Sequence, residues 1–270
     1  MKISIGGFSF FNTMNEGKMD TFGYLESSKY RYNLNTVDLW NGTFQDLRQN
    51  IFKLPDDAYI QKVREALDEK EMTVINLAVD GAHLWDADPD RRQMLFGNAV
   101  AYLKIAETLG AKTVRIDTGD KQSEPLTEEQ FEYTVKHFQE LSARASDLGI
   151  IVGPENHMGT SKSPHYLKRV AEAVDHRSFG ILLHMGRWSE DEEIGDSLVA
   201  PWVYHTHFDG RTVASDRAEK LVRTLTEAGY DGYWGIEYNA PGNQYLEMEW
   251  AIASVKRILT QVSAAPAATI

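Results

Sequence analysis

The stretch Ile150-Ile151-Val152-Gly153-Pro154-Glu155-Asn156-His157-Met158-Gly159 carries an apolar, β-branched run directly into a carboxylate, an amide and an imidazole. Such a run reads as a buried strand, with its polar residues standing where strand meets loop. In an eight-fold β/α barrel the C-terminal edge of the strands is the catalytic face, so Glu155 reads there as chemistry rather than stability. The rest of the chain decides whether such a barrel exists.

Working outward, comparable runs occupy residues 2–7, 36–40, 73–79, 113–117, 179–184, 203–207 and 233–237, which with 150–155 make eight. Amphipathic stretches separate them, the pattern of a parallel sheet with crossover helices. Asp88-Pro89 and Ser163-Pro164 place a cap before a proline at the first helical position, and Thr127 with Gln130 forms a capping box. Gly110, Gly149 and Gly229 stop helices just before the next strand. Eight such units match the roughly 250 residues of a closed barrel, whereas open doubly wound sheets usually have fewer strands. The expected architecture is therefore α/β, a single (β/α)8 TIM barrel over residues 1–262. Its last helix is expected at about 244–262, with the Ala-rich residues 263–270 as a frayed, disordered tail.

The 270 residues are 42% hydrophobic and 25% charged, ordinary for a soluble globular domain. No apolar run approaches the roughly 20 residues that span a bilayer, and Met1-Lys2 leads into the first strand without a signal-like segment, so a cytoplasmic protein without a membrane partner is expected. With no cysteine, disulfides, thiolate zinc sites and cysteine nucleophiles are excluded. A net charge of -12 argues against nucleic acid and leaves a small neutral or weakly charged substrate.

Strands five to eight end in Glu155, His184, His207 and Glu237. Neighbouring strands lie about 4.8 Å apart, so four successive strand ends can converge on one ion. One divalent metal is expected, Mn2+ first, with Co2+, Fe2+, Zn2+ or Mg2+ as alternatives, because two carboxylates and two imidazoles suit borderline metals better than all-oxygen shells do. A single strand-end His is more often a hydrogen-bonded structural residue, but four together at one depth are hard to explain that way. His205 shares a face with His207 and is expected in the layer below, with Asp209 orienting His207.

Four segments carry a family resemblance: GPENHMG at 153–159, LLHMGRW at 182–188, YHTHFDG at 204–210 and YWGIEY at 233–238. Through them nearly the whole chain resembles the xylose isomerase-like TIM barrels, which include sugar phosphate isomerases/epimerases and ketose 3-epimerases. The resemblance implies ligands from strands five to eight, commonly Glu, Asp, His and Glu, and so Glu155, His207 and Glu237. The sixth strand departs from the pattern. The family usually shows Asp followed three residues later by His, and this chain has His184 and Arg187. The change removes one negative charge around the metal, which makes it a stronger Lewis acid. Arg187 could grip a substrate hydroxyl, carbonyl or carboxylate, or instead pair with the acidic run 190–193.

The chemistry implied by the resemblance is deprotonation of the carbon beside a carbonyl through a metal-stabilised enediolate. Glu155 and Glu237 would remove and return the proton. His157 is the best further acid or base, with a loop residue bonded to backbone as its plain alternative. Phe8, Trp40 and Trp188 supply aromatic faces for a sugar, and His83 and Asp117 supply hydroxyl contacts, although aromatics also simply fill cores. Arg211, like Lys121 and Lys162, lies in a mouth loop, where a solvated surface charge is the alternative.

No glycine-rich phosphate loop follows strand seven or eight, so a phosphorylated substrate is not required. No strand ends in lysine, which disfavours Schiff-base chemistry. The leading expectation is a divalent-metal-dependent sugar isomerase or epimerase. A second is a 3-keto-glycoside epimerase or lyase, working by β-elimination and including C-glycoside cleavage. Either could act as a homo-oligomer or with a partner subunit. A third is a catalytically inactive sugar-binding accessory protein.

Overall fold

A computed structural model describes residues 1–45, 47–119 and 127–264. Its strands are β1 Ile3–Ile5, β2 Thr36–Trp40, β3 Thr73–Val79, β4 Thr113–Ile116, β5 Ile151–Gly153, β6 Ile181–His184, β7 Val203–Phe208 and β8 Trp234–Ile236. Between them run α1 Phe11–Asn15, α2 Thr21–Glu26, α3 Asp57–Glu69, α4 Pro89–Leu109, α5 Glu128–Asp147, α6 Pro164–Val174, α7 Gly195–Val199, α8 Gly210–Ala214, α9 Ala218–Glu227 and α10 Gln244–Ala264. Each expected strand is present, β2 and β3 with the expected ends. Lys121 and residues 265–270 lie outside the described residues, and α10 continues two residues past the expected 262.

The strands are parallel throughout, in two runs ordered β1-β8-β7-β6 and β2-β3-β4-β5. Isolated parallel bridges close the ring, Gly6 to Asp38 on one side and Val152 to Phe179 with Glu155 to Leu182 on the other. The β5–β6 seam depends on glycine. A Cβ on Gly153 would stand 1.7 Å from the carbonyl oxygen of Gly180, so only bare backbone permits this approach. The same seam brings the end of β5 against the end of β6.

Local signals set the helix ends as expected. Asp88 and Ser163 side chains accept from the backbone N–H of Asp90 and Tyr166 ahead of Pro89 and Pro164, Thr127 and Gln130 close their capping box, and Gly110 takes φ 69°. Helix α9 buries Ala218, Leu221, Val222 and Leu225, an i, i+3, i+4, i+7 stripe facing the barrel. The strands are covered on both faces and so read as apolar runs. Polar side chains nevertheless enter the interior: Asp38, Asn76, Arg115 and His205 are all at most 3% exposed. Asn76 Nδ2 donates to Asp38 Oδ1 at 2.8 Å, and Thr113 Oγ1 donates to Asn76 Oδ1 at 2.9 Å. A hydrogen-bonded polar layer thus lies below the mouth, where barrels more often stack branched aliphatics. No described helix is long and apolar enough to cross a membrane.

Candidate active site

The C-terminal ends of β5 to β8 bring Glu155, His184, His207 and Glu237 together. His184 Nδ1 stands 3.3 Å from Glu155 Oε1 and 3.7 Å from Glu237 Oε2, and His207 Nδ1 stands 3.8 and 3.6 Å from the same two oxygens. One donor atom from each residue lies within 4.8 Å of the others. Atoms bound about 2.1 Å from a common ion are themselves about 3–4 Å apart, so the spacing suits a small cation. Three of the four side chains are closed off from solvent, and Glu237 is open enough to meet a ligand.

Asp38, from β2 across the barrel, holds the imidazoles. Its Oδ2 accepts from His207 Nε2 at 2.7 Å and from His205 Nε2 at 2.6 Å. With Nε2 occupied, the buried Nδ1 of His207 has no hydrogen-bond partner and faces both glutamates. Burial alone would neutralise these groups, but charge outweighs it. Despite burial the His207 and His205 rings hold Asp38 below the usual carboxylate range, and despite burial Glu237 and Asp38 raise His207. The expectation that Asp209 orients His207 is corrected here. Helix α8 begins at Gly210, so Asp209 is its cap, with Oδ1 accepting from Thr212 N at 2.7 Å while Oδ2 stands 3.5 Å from His184 Nε2. His205 lies in the layer below, as its spacing implies.

A second network backs Glu155. Arg115, on β4 and 3% exposed, donates from Nη1 to Val79 O at 2.9 Å, Asp80 Oδ1 at 2.8 Å and Asp117 Oδ2 at 3.1 Å. Its Nε lies 3.4 Å from Glu155 Oε2. Asp117 Oδ2 also accepts from His157 Nδ1 at 2.9 Å. One guanidinium therefore ties Glu155 to the His157–Asp117 pair. Burial opposes the His157 imidazolium, yet the carboxylates of Asp117 and Glu155 more than reverse it and push the pKa up to about 9. Glu155 moves the other way: burial favours its acid form, but His157, His184, His207 and Arg115 together hold it well below the usual range.

Above these groups opens a cavity of about 790 Å3, lined among others by Phe8, His157, Arg187, Trp188, Arg211 and Glu237. Trp40, His83 and Asp117 stand outside that lining. Trp40 meets Phe8 edge-on at 5.1 Å and donates to Asp80 at 2.8 Å, and Asp117 is taken by Arg115 and His157. His83 Nε2 is 3.8 Å from Asp86 Oδ2. Arg187 is not used by the acidic run. Its Nη1 is 3.5 Å from Glu155 Oε1, while Glu190 meets Ser163, Asp191 meets His165, Glu192 meets Arg217 and Glu193 meets Lys220. Asp38 and Arg115 escaped the strand-end reading. Their signal was a charged residue set at alternating positions inside the apolar runs TVDLW and TVRI.

The family model described as xylose isomerase-like TIM barrel matches residues 31–258. Among solved structures, the chain is similar to an L-ribulose 3-epimerase at 11% identity and TM-score 0.77, covering 97% of this chain and 95% of that one. It is similar to the probable 3-DHS dehydratase AsbF from Bacillus anthracis at 15% identity and TM-score 0.69, covering 94% and 99%. It is also similar to a xylose isomerase-like TIM barrel protein from Mycobacterium smegmatis in complex with magnesium, at 15% identity and TM-score 0.67, covering 86% of each chain. Identities this low establish the shared fold alone. No curated protein matches the chain in sequence.

Proposed function

Because this chain belongs to the xylose isomerase-like TIM barrel family, we propose that it is a divalent-metal-dependent sugar isomerase or epimerase that moves a proton on the carbon beside a carbonyl. The convergence of Glu155, His184, His207 and Glu237 carries the reading. The partnerless, buried Nδ1 of His207 between two glutamates fits an ion better than a closed hydrogen-bond network. The donor set favours Mn2+, with Co2+, Fe2+, Zn2+ or Mg2+ as alternatives. When bound, such an ion supplies Lewis-acid polarisation of a carbonyl and its neighbouring hydroxyl.

The chain's own groups divide the remaining tasks. Of Glu155 and Glu237, one removes the proton and the other returns it. Arg115 backs Glu155 as an ion-pair partner 3.4 Å from its second oxygen, and Asp38 fixes the ring of His207. His157, its ring held by Asp117 at 2.9 Å, offers a proton or hydrogen bond to a substrate oxygen in the cavity it lines.

That last observation also favours a second reading, a lyase or epimerase of 3-keto glycosides. β-Elimination needs an acid at the departing group, and His157 is one. Proton NMR in D2O with Mn2+-loaded protein separates the readings. Deuterium entering a free ketohexose beside its carbonyl identifies an isomerase or epimerase. Exchange or aglycone release confined to 3-keto glucosides identifies the second activity. No exchange with either, nor with 2-keto-D-gluconate or D-ribulose 5-phosphate, from protein shown to hold metal, refutes both and leaves a binding role.

A further inference from the structure

The charge of the cavity differs from that of the chain. In a protein of net charge -12, the lining carries the fixed cations Lys162, Arg187, Arg211 and Arg217 against the carboxylates Glu192, Asp209 and Glu237. The carboxylates are engaged elsewhere: Glu192 pairs with Arg217, Asp209 caps α8, and Glu237 faces His184 and His207. Among the described residues Lys162 and Arg211 form no ion pair, and Arg187 pairs only with Glu155, at 3.5 Å. The acidic run that could have neutralised them is paired with other partners.

The three cations come from consecutive β-to-α connections. Lys162 follows β5, Arg187 follows β6 and Arg211, in the first turn of α8, follows β7, the strands whose C-terminal ends present Glu155, His184 and His207. Ser189 ties two of the loops together, donating from N and Oγ to the carbonyl of Lys162 at 3.0 and 3.2 Å. Cations without an ion pair, as Lys162 and Arg211 are among the described residues, focus a positive field in a concave site, and burying them against a neutral ligand leaves their donors short of acceptors. Planar guanidinium forks match carboxylate and phosphate oxygens.

Resting on the function proposed above, we propose that the substrate is a keto-polyol carrying one anionic group, a carboxylate or a phosphate, held by Lys162, Arg187 and Arg211. The anion-holding wall selects the substrate, and Glu155 and Glu237 act on the carbon beside its carbonyl.

Titration calorimetry on Mn2+-loaded protein with 2-keto-D-gluconate, D-ribulose 5-phosphate and D-fructose tests this. At least one anion should bind about ten- to a hundredfold more tightly than fructose, the worth of one or two charge-assisted hydrogen bonds. The advantage should shrink with added salt and fall roughly tenfold in Arg211→Gln and in Lys162→Gln. The tighter of the two anions identifies carboxylate or phosphate. Fructose binding as well as both, or anion affinity unchanged in both variants, overturns the proposal. Arg211 is exposed, and thermal melting checks that the variants fold. Deuterium exchange in the same samples keeps the two readings apart. Exchange into fructose without anion preference sinks the anionic substrate and keeps the enzyme, whereas salt-sensitive anion binding without any exchange does the reverse.

Discussion

Replacing Asp38 by Asn tests whether the far side of the barrel sets the candidate metal site. Asp38 is 1% exposed, and its Oδ2 takes hydrogen bonds from both His205 and His207 at 2.6 and 2.7 Å. The amide has almost the same shape but no charge, and its NH2 cannot accept. Each charge-assisted bond is worth about 1.5–3 kcal/mol, and breaking a buried charged pair costs about 3–5 kcal/mol, so metal-free Asp38→Asn should be less stable by about that amount. At roughly 2–4 °C per kcal/mol for a chain of this size, the melting temperature should drop by about 10 °C. His207 also loses the partner that fixes its ring, which typically lowers metal affinity ten- to a hundredfold. Mn2+ calorimetry and melting in chelator measure both quantities. An affinity within twofold of the parent protein would refute the claim that Asp38 positions a ligand, and an unchanged melting temperature would refute the energetics.

Glu155→Gln and Glu237→Gln should each abolish deuterium exchange while circular dichroism and melting show an intact fold; near-normal exchange in either variant removes that residue from the proton transfer. His157 supplies a pH signature in metal-free protein. Its pKa is raised from an ordinary value near 6.5 to about 9, so the His157–Asp117 interaction is complete below about pH 6.5 and is lost as pH rises through about 9, a change on the order of 3 kcal/mol. Urea unfolding across that window should show the decline in the parent and not in His157→Gln, and coincident curves would disprove the assignment. Gly235→Ala should destabilise by about 1–3 kcal/mol and weaken Mn2+ binding, because its Cβ would stand 2.4 Å from Thr206 O and 2.9 Å from the rings of His205 and His207; parent-like melting and affinity would show that the β7–β8 seam has room to spare.

The eight strands, the helix caps and the four strand-end residues could be read from the chain because each is written locally. Apolar period, a cap before proline and a glycine stop depend on neighbours a few residues apart, and β2 and β3 came out with their expected ends. Parallel β/α order then fixes which strand ends face the mouth, so the chain itself groups Glu155, His184, His207 and Glu237. The pairings of those residues could not be. Asp38 meets His207 across 169 positions, a contact created only when the barrel closes, and proximity along the chain pointed instead to Asp209, which its own helix claims as a cap. Arg115 was likewise silent, since Asp80 and Glu155 stand just past the ends of β3 and β5 and come to its side only through strand register. Trp40, grouped with the sugar-facing aromatics, stands behind Phe8 because packing, not residue type, decides which ring is in front. Sequence alone thus determined the scaffold and the residues at the C-terminal edge of its strands, through short-range preferences. The tertiary structure alone decided which charges are paired and which are left for a ligand, because buried ionic groups choose partners by three-dimensional proximity under the demand that none stay uncompensated.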